Sequence, residues 1–152
     1  MAIFRDLWDK HPANWTPPVI LPCQDKKGNV HPDLANQCAI RLGMAFQGTG
    51  VSTASLKGSR CWNNHGNKHI LKVLQMVPWI DKNTKVIGCK PKVIHKNVDS
   101  RPFNGKVGIF YFQNFYGRNN RGDHIDLWNG RIIAHGDLDY FERSEEVWFW
   151  EM

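Results

Sequence analysis

Long apolar runs are missing from this chain of 152 residues: no stretch nears the ~18–20 residues that a membrane-spanning helix needs, so no membrane insertion is expected. An uninterrupted apolar leader is missing too, because Asp6 and Asp9 break the opening MAIFRDLWDKHPANW, and no ordinary export signal is expected. Cysteine is scarce and never closely paired. Its four copies stand at 23, 38, 61 and 89 with no CxxC, which excludes a zinc ribbon or a thioredoxin-like motif. Repeats, low-complexity tracts and linkers are absent, so one domain over 1–152 is expected. Acidic residues do not dominate: 14 Asp+Glu face 20 Lys+Arg, a formal charge of +6. The positive residues are scattered in ones and twos, so charge alone selects no partner among nucleic acid, anionic membrane and carboxylate-rich polymer. What is abundant is apolar and aromatic: 41% hydrophobic residues, with seven Trp and eight Phe, supply a sizeable core and exclude disorder.

Residues 1–32 are rich in proline and lack periodicity, which reads as a short helix followed by a wrapping loop. From Asp33, Leu34, Cys38, Leu42 and Ala45/Phe46 form the stripe of an amphipathic helix, started by Pro32 and Asp33 and stopped by Gly48 and Gly50. A Gly/Ser/Asn-rich loop covers 48–67. Ile70, Leu71, Leu74 and Val77 then mark a second helix, capped by Asn67 and ending at Pro78. Short β-rich runs follow at Lys85–Ile87, Val107–Phe115, His124–Trp128, Arg131–His135 and Val147–Trp150. Helices first and an antiparallel sheet after them make an α+β fold.

Cys38 falls in the early turns of the first long helix, where orphan N–H groups and the helix dipole favour a thiolate. The plain alternative is a small buried residue on the Leu34/Leu42 stripe. Asn129-Gly130 is a strong hairpin turn signal of type I′. That turn pairs Trp128 with Arg131, Leu127 with Ile132, Asp126 with Ile133 and His124 with His135, placing two histidines opposite each other. One imidazole then orients the other, the relation that cysteine nucleophiles use. The alternative is an incidental polar pair near a strand edge. A helix-borne Cys followed by a strand-borne His and a polar third residue is the papain-like chain order.

Asn36-Gln37-Cys38-Ala39-Ile40-Arg41-Leu42 and Gly122-Asp123-His124-Ile125-Asp126-Leu127-Trp128-Asn129-Gly130 together resemble the type VI secretion amidase effectors, in particular their fourth family. These are small papain-like enzymes related to NlpC-type cell-wall peptidases, and the resemblance runs from about Leu34 to the carboxyl terminus. It implies a papain-like α+β fold with the nucleophile helix on an antiparallel sheet. It implies Cys38 as nucleophile, His124 as base, and a third residue at His135, with Asp137 as the competing assignment. The Cys38 backbone N–H and Gln37 are the implied oxyanion donors. Arg41 and Asp126 are candidate substrate contacts; Asp126 shares a face with His124 and Trp128 and is expected in a supporting role. The implied reaction is hydrolysis of the γ-D-glutamyl–meso-diaminopimelate amide of peptidoglycan, with no metal and no cofactor. The implied partners are the type VI apparatus, which delivers the protein from the cytoplasm into a target cell's periplasm, and a cognate immunity protein.

Other signals carry less. His65 and His69 have the His-x3-His spacing of a helical metal pair, but the zincin Glu is missing and Gly66 is a poor helix former, so a loop-to-helix junction is the better reading. Arg121-Gly122-Asp123 matches an integrin-binding tripeptide only in letters and reads as a turn. Trp128, Trp148 and Trp150, like Tyr111, Phe115 and Tyr116, read as core. Cys61 could bridge Cys89, and Cys23 is an equal partner; the connectivity stays open. Two other functions remain: a basic, aromatic-rich module binding nucleic acid or glycan, and a metal-dependent nuclease using His65 and His69.

Overall fold

The computed structural model describes residues 2–63, 65, 69–115 and 122–152. The chain opens with helix α1 (Phe4–Lys10), which buries Leu7, and continues as a loop interrupted by 3-10 turns at Pro12–Asn14 and Pro32–Leu34. Helix α2 (Cys38–Gly48) starts later than the apolar stripe suggests, and Leu34 lies outside it. The reason is local: Asn36 Oδ1 accepts the Cys38 N–H at 3.2 Å, an Asx turn that competes with continuous helix. Cys38 is therefore the first residue of α2 rather than one turn inside it. The helix is buried almost all round, and a Cβ added at Gly43 would sit 3.1 Å from Ile70 Cδ1.

Helix α3 (Val73–Lys82) also departs from expectation. Ile70 bridges antiparallel to Arg60 instead of starting the helix, and Pro78 lies inside it. Proline there leaves the Leu74 carbonyl without its helical partner, and Leu74 is 64% exposed, so water can serve that oxygen. The expected cap, Asn67, lies outside the described residues. Lys85–Ile87, expected as a strand, belongs to the short helix α4 (Thr84–Ile87), because Gly88 adopts φ 93° and its N–H closes the turn on the Thr84 carbonyl at 2.8 Å.

The sheet is antiparallel, with strands β1 (Val93–His95), β2 (Gly108–Gln113), β3 (His124–Trp128) and β4 (Glu146–Glu151) in the order β1-β4-β2-β3. Strand β1 was not legible in the sequence. Ile109, Tyr111, Ile125, Leu127 and Trp150 join α1, α2 and α3 in one core, whereas Phe110, Phe112, Trp128 and Val147 pack on the other side with Phe103, Phe115 and Phe141 of helix α5 (Tyr140–Arg143) and the neighbouring loops. Trp128 and Trp150 are fully buried, Trp148 partly so, and Tyr111 and Phe115 are buried. Tyr116 and Arg121 lie outside the described residues. No helix among the described residues is long and apolar enough to cross a membrane.

The hairpin after β3 differs in register from the sequence reading. Asn129 Oδ1 accepts the N–H groups of Arg131 (3.0 Å) and Ile132 (2.9 Å), and Gly130 alone takes a positive φ of 97°. The turn is thus wider than type I′: Trp128 bridges Ile133, not Arg131, and the Arg131–His135 strand shrinks to that bridge. Ala134 N–H meets the Leu127 carbonyl at 2.9 Å, which puts His135 level with Asp126 instead of opposite His124.

Candidate active site

Helix α2 packs its amino-terminal end against β3, and this brings Cys38 to His124. The Cys38 thiol lies 4.0 Å from the Asp123 carbonyl and close enough to the His124 ring to favour its protonated form. His124 Nε2 donates to Asp126 Oδ2 at 3.0 Å. An ionised carboxylate only accepts, so this bond fixes the proton on Nε2 and leaves Nδ1 for the thiol. Phe115 and Tyr140 stand edge-on to the imidazole, with centroids 6.0 and 5.2 Å away, and screen it from water.

Asp126 is fully buried, and every contact it makes compensates that cost. Oδ2 also accepts the His135 backbone N–H at 3.0 Å, and Oδ1 accepts the Leu127 N–H at 2.8 Å. His11 Nε2 lies 2.9 Å from Oδ1, with its N–H off the line to the oxygen, so that contact is chiefly electrostatic. The His11 Nδ1 accepts the Ala13 N–H at 3.3 Å, which leaves the Nε2 proton facing the carboxylate.

These contacts set the electrostatics. Burial pushes Asp126 upward, but the adjacent His11 ring and the bond from His124 outweigh it and hold the carboxyl far below the usual range. Burial likewise pushes His124 down, and the bond to Asp126 together with the neighbouring Cys38 thiol overcomes it and raises the imidazole to about 9. A histidine that keeps its proton at neutral pH beside a cysteine is the electrostatic setting for a thiolate–imidazolium pair.

Of the residues singled out in the sequence, the fold gathers Cys38, His124, Asp126, Gln37, Arg41 and His135 around one cavity or directly behind it. That cavity, of about 180 Å³, is lined by Ile20, Leu21, Asn36, Gln37, Arg41, His124, His135 and Tyr140, among others. His135 does not orient His124: its side chain is exposed, and only its backbone N–H reaches Asp126. Burial and the Arg41 charge lower its imidazole. Asp137 is exposed, and its carbonyl receives the Tyr140 N–H. Asp126, expected as a substrate contact, is sealed from solvent and sits behind His124. The carboxylate bonded to the His124 ring therefore comes from the same strand as His124, not from the next one.

Gln37 and Arg41 are likewise more tied down than expected. Gln37 Oε1 accepts the Cys23 N–H at 2.7 Å and its Nε2 donates to the Cys23 carbonyl at 3.0 Å. Arg41 is 2% exposed and donates to the Ile20 carbonyl at 2.5 Å. The Cys38 backbone N–H, expected as an oxyanion donor, is engaged by Asn36 Oδ1. His11 was missed by sequence reasoning, and nothing in its proline-rich surroundings signals it. Asp126 had a signal, the i, i+2 spacing from His124 that puts both on one face of a strand.

A second Cys–His contact lies elsewhere: Cys23 Sγ is 3.5 Å from His65 Nε2 and 3.2 Å from Cys61 Sγ. Burial, with the Cys61 thiol adjacent, pushes Cys23 up to about 11. Burial, with His65 adjacent, lowers His69 to about 4. A thiol that is fully buried, raised and off any helix terminus is poorly suited to attack a substrate.

Residues 34–150 match the family model described as the type VI secretion system (T6SS) amidase effector protein 4, Tae4. No curated protein matches the sequence. Among solved structures, the chain is similar to Tae4 of the effector–immunity pair Tae4/Tai4 from Salmonella typhimurium, with 21% identity, a TM-score of 0.74, and coverage of 100% of this chain and 99% of that one. It is similar also to the type VI effector Tae4 from Enterobacter cloacae, with 19% identity, a TM-score of 0.74, and coverage of 100% and 97%. At such identities these likenesses establish the fold.

Proposed function

The chain belongs to the family of type VI secretion amidase effectors of group 4, cysteine enzymes that cleave peptidoglycan, and from that premise we propose that Cys38, His124 and Asp126 are its catalytic machinery. The observation that carries this reading is the buried chain of contacts from the Cys38 thiol through His124 to Asp126. Cys38 attacks the amide carbonyl as the thiolate, and the tetrahedral intermediate collapses as His124 delivers its proton to the leaving amine. Water then adds to the thioester, with His124 accepting its proton, and the acid product leaves. Asp126 holds the ring in the tautomer that keeps Nδ1 toward the sulfur.

Gln37 Nε2 has a second proton beyond the one given to the Cys23 carbonyl, and its place on the cavity wall suits it to the oxyanion. The Cys38 N–H can serve as well once the substrate oxygen competes with Asn36. Arg41 borders the same cavity and supplies a fixed positive charge for a stem-peptide carboxylate. The bond we assign is the γ-D-glutamyl–meso-diaminopimelate amide, and residues 1–152 act as one catalytic domain. Effectors of this family are secreted into the periplasm of target cells; we infer synthesis in the producer's cytoplasm and a dedicated immunity protein that occludes the cleft, the structural relatives being members of effector–immunity pairs.

Mass spectrometry of purified peptidoglycan after digestion tests the reading. New stem-peptide fragments from the wild type and none from Cys38→Ala are expected, and their masses identify the bond. An unchanged digest with folded, reduced wild type would overturn it.

A further inference from the structure

The cluster on the far side of Gln37 has no part in this chemistry. Cys23, Cys61, His65 and His69 each direct one sulfur or nitrogen to a common point, and the four atoms all lie within 4.8 Å of one another. A tetrahedral zinc ion with bonds of ~2.3 Å to sulfur and ~2.0–2.1 Å to nitrogen spaces its ligands ~3.3–3.8 Å apart. The 3.2 Å between the sulfurs and the 3.5 Å from Cys23 Sγ to His65 Nε2 approach those spacings. Three of the four side chains are buried, and His69 Nδ1 is buried with no hydrogen-bond partner among the described residues. The two imidazole rings converge with centroids 4.4 Å apart. A covalent bridge between Cys23 and Cys61 would use neither ring.

We propose that Cys23, Cys61, His65 and His69 form a closed structural zinc site. Two thiolates and two imidazoles are the donor set that selects Zn²⁺ over hard cations, and four protein ligands leave no open position for a substrate or an activated water. Binding releases the two thiol protons to solvent, and the imidazoles bind through neutral nitrogen lone pairs. The site joins the amino-terminal loop to the segment between α2 and α3. Because Gln37 clasps the Cys23 backbone at both N–H and C=O, the ion also braces the residue beside the nucleophile and the Ile20–Leu21 wall of the cavity. The sequence pattern conceals it, since only the Cys-x3-His-x3-His run is local and Cys23 comes from a distant loop.

The test is metal analysis of the full chain purified under reducing conditions and given one equivalent of ZnCl₂. About one tightly held zinc per chain is expected in the wild type and in Cys38→Ala, and roughly a tenth or less in Cys61→Ser and His69→Ala. Cobalt(II) exchanged into the wild type should give the intense visible bands of a tetrahedral site and a sulfur-to-cobalt charge-transfer band, a readout independent of how the variants fold. Three results would overturn the proposal: a wild type that stays metal-free at one equivalent, zinc lost on Cys38→Ala but kept on Cys61→Ser, or a reduced-purified chain about 2 Da light from a Cys23–Cys61 disulfide that takes up no zinc.

Discussion

In the proposed site the electrostatics turn on Asp126, whose one carboxylate faces two imidazoles and two backbone N–H groups in a fully buried position. Asp126→Asn should lower kcat/KM on peptidoglycan fragments by at least ~100-fold, the scale of losing a positioned acid–base partner. His135→Ala retains the backbone N–H that Asp126 uses and should cost less than ~10-fold; equal losses from the two substitutions in the same assay would return the orienting role to the His135 ring. The pH profile follows from the His124 shift. Its pKa is raised to about 9, so the proton needed by the leaving amine is present below that value and lost above it. An alkaline limb near pH 9 is expected in kcat/KM, and Asp126→Asn should move it to lower pH. Cys38 and His124 were legible in the sequence, one from its helix start and the other from its strand. Asp126 was legible as a neighbour of His124 on the same face but not as the group bonded to its ring, because the type I′ register places His135 opposite His124.

At the scale of elements, the turn after β3 shows why register was misread. Asn-Gly predicts a two-residue type I′ turn only when both residues take positive φ, and here the Asn129 side chain captures two N–H groups and widens the loop. Asn129→Ala removes that acceptor and should lower stability by ~1 kcal/mol, read as a fall of a few degrees in Tm. The helices failed for similarly local reasons. A side-chain bond at Asn36 delays α2, and an exposed carbonyl at Leu74 lets α3 run through Pro78. Strands β2, β3 and β4 read more faithfully, since runs of β-branched and aromatic residues agree there with burial, on both faces in β2 and β3. Three residues at β1 are too few to show a period.

For the whole molecule, the buried His124–Asp126 pair links folding to pH. His124 is raised, so its contribution to stability is complete below its ordinary value of 6.5 and is lost as pH climbs through about 9. Asp126 is lowered, so its contribution is present above its ordinary value of 3.8 and is lost as pH falls toward its depressed value. Thermal unfolding should therefore show a plateau from about pH 4 to 6.5 with a decline on the alkaline side, and Asp126→Asn should flatten that alkaline decline. A wild-type Tm still level above pH 9 would contradict the coupling.

His11 lies outside residues 34–150, the part that matches the family model, and so do Cys23, Ile20 and Leu21. The ring that faces Asp126 from behind thus comes from a segment outside the match to the family model. A chain trimmed to start at Leu34 would lose α1, whose Leu7 is buried in the core with α2, would hold Asp126 with one imidazole instead of two, and would open one side of the cavity. Grafting the matched segment alone would therefore carry over Cys38, His124 and Asp126 without His11.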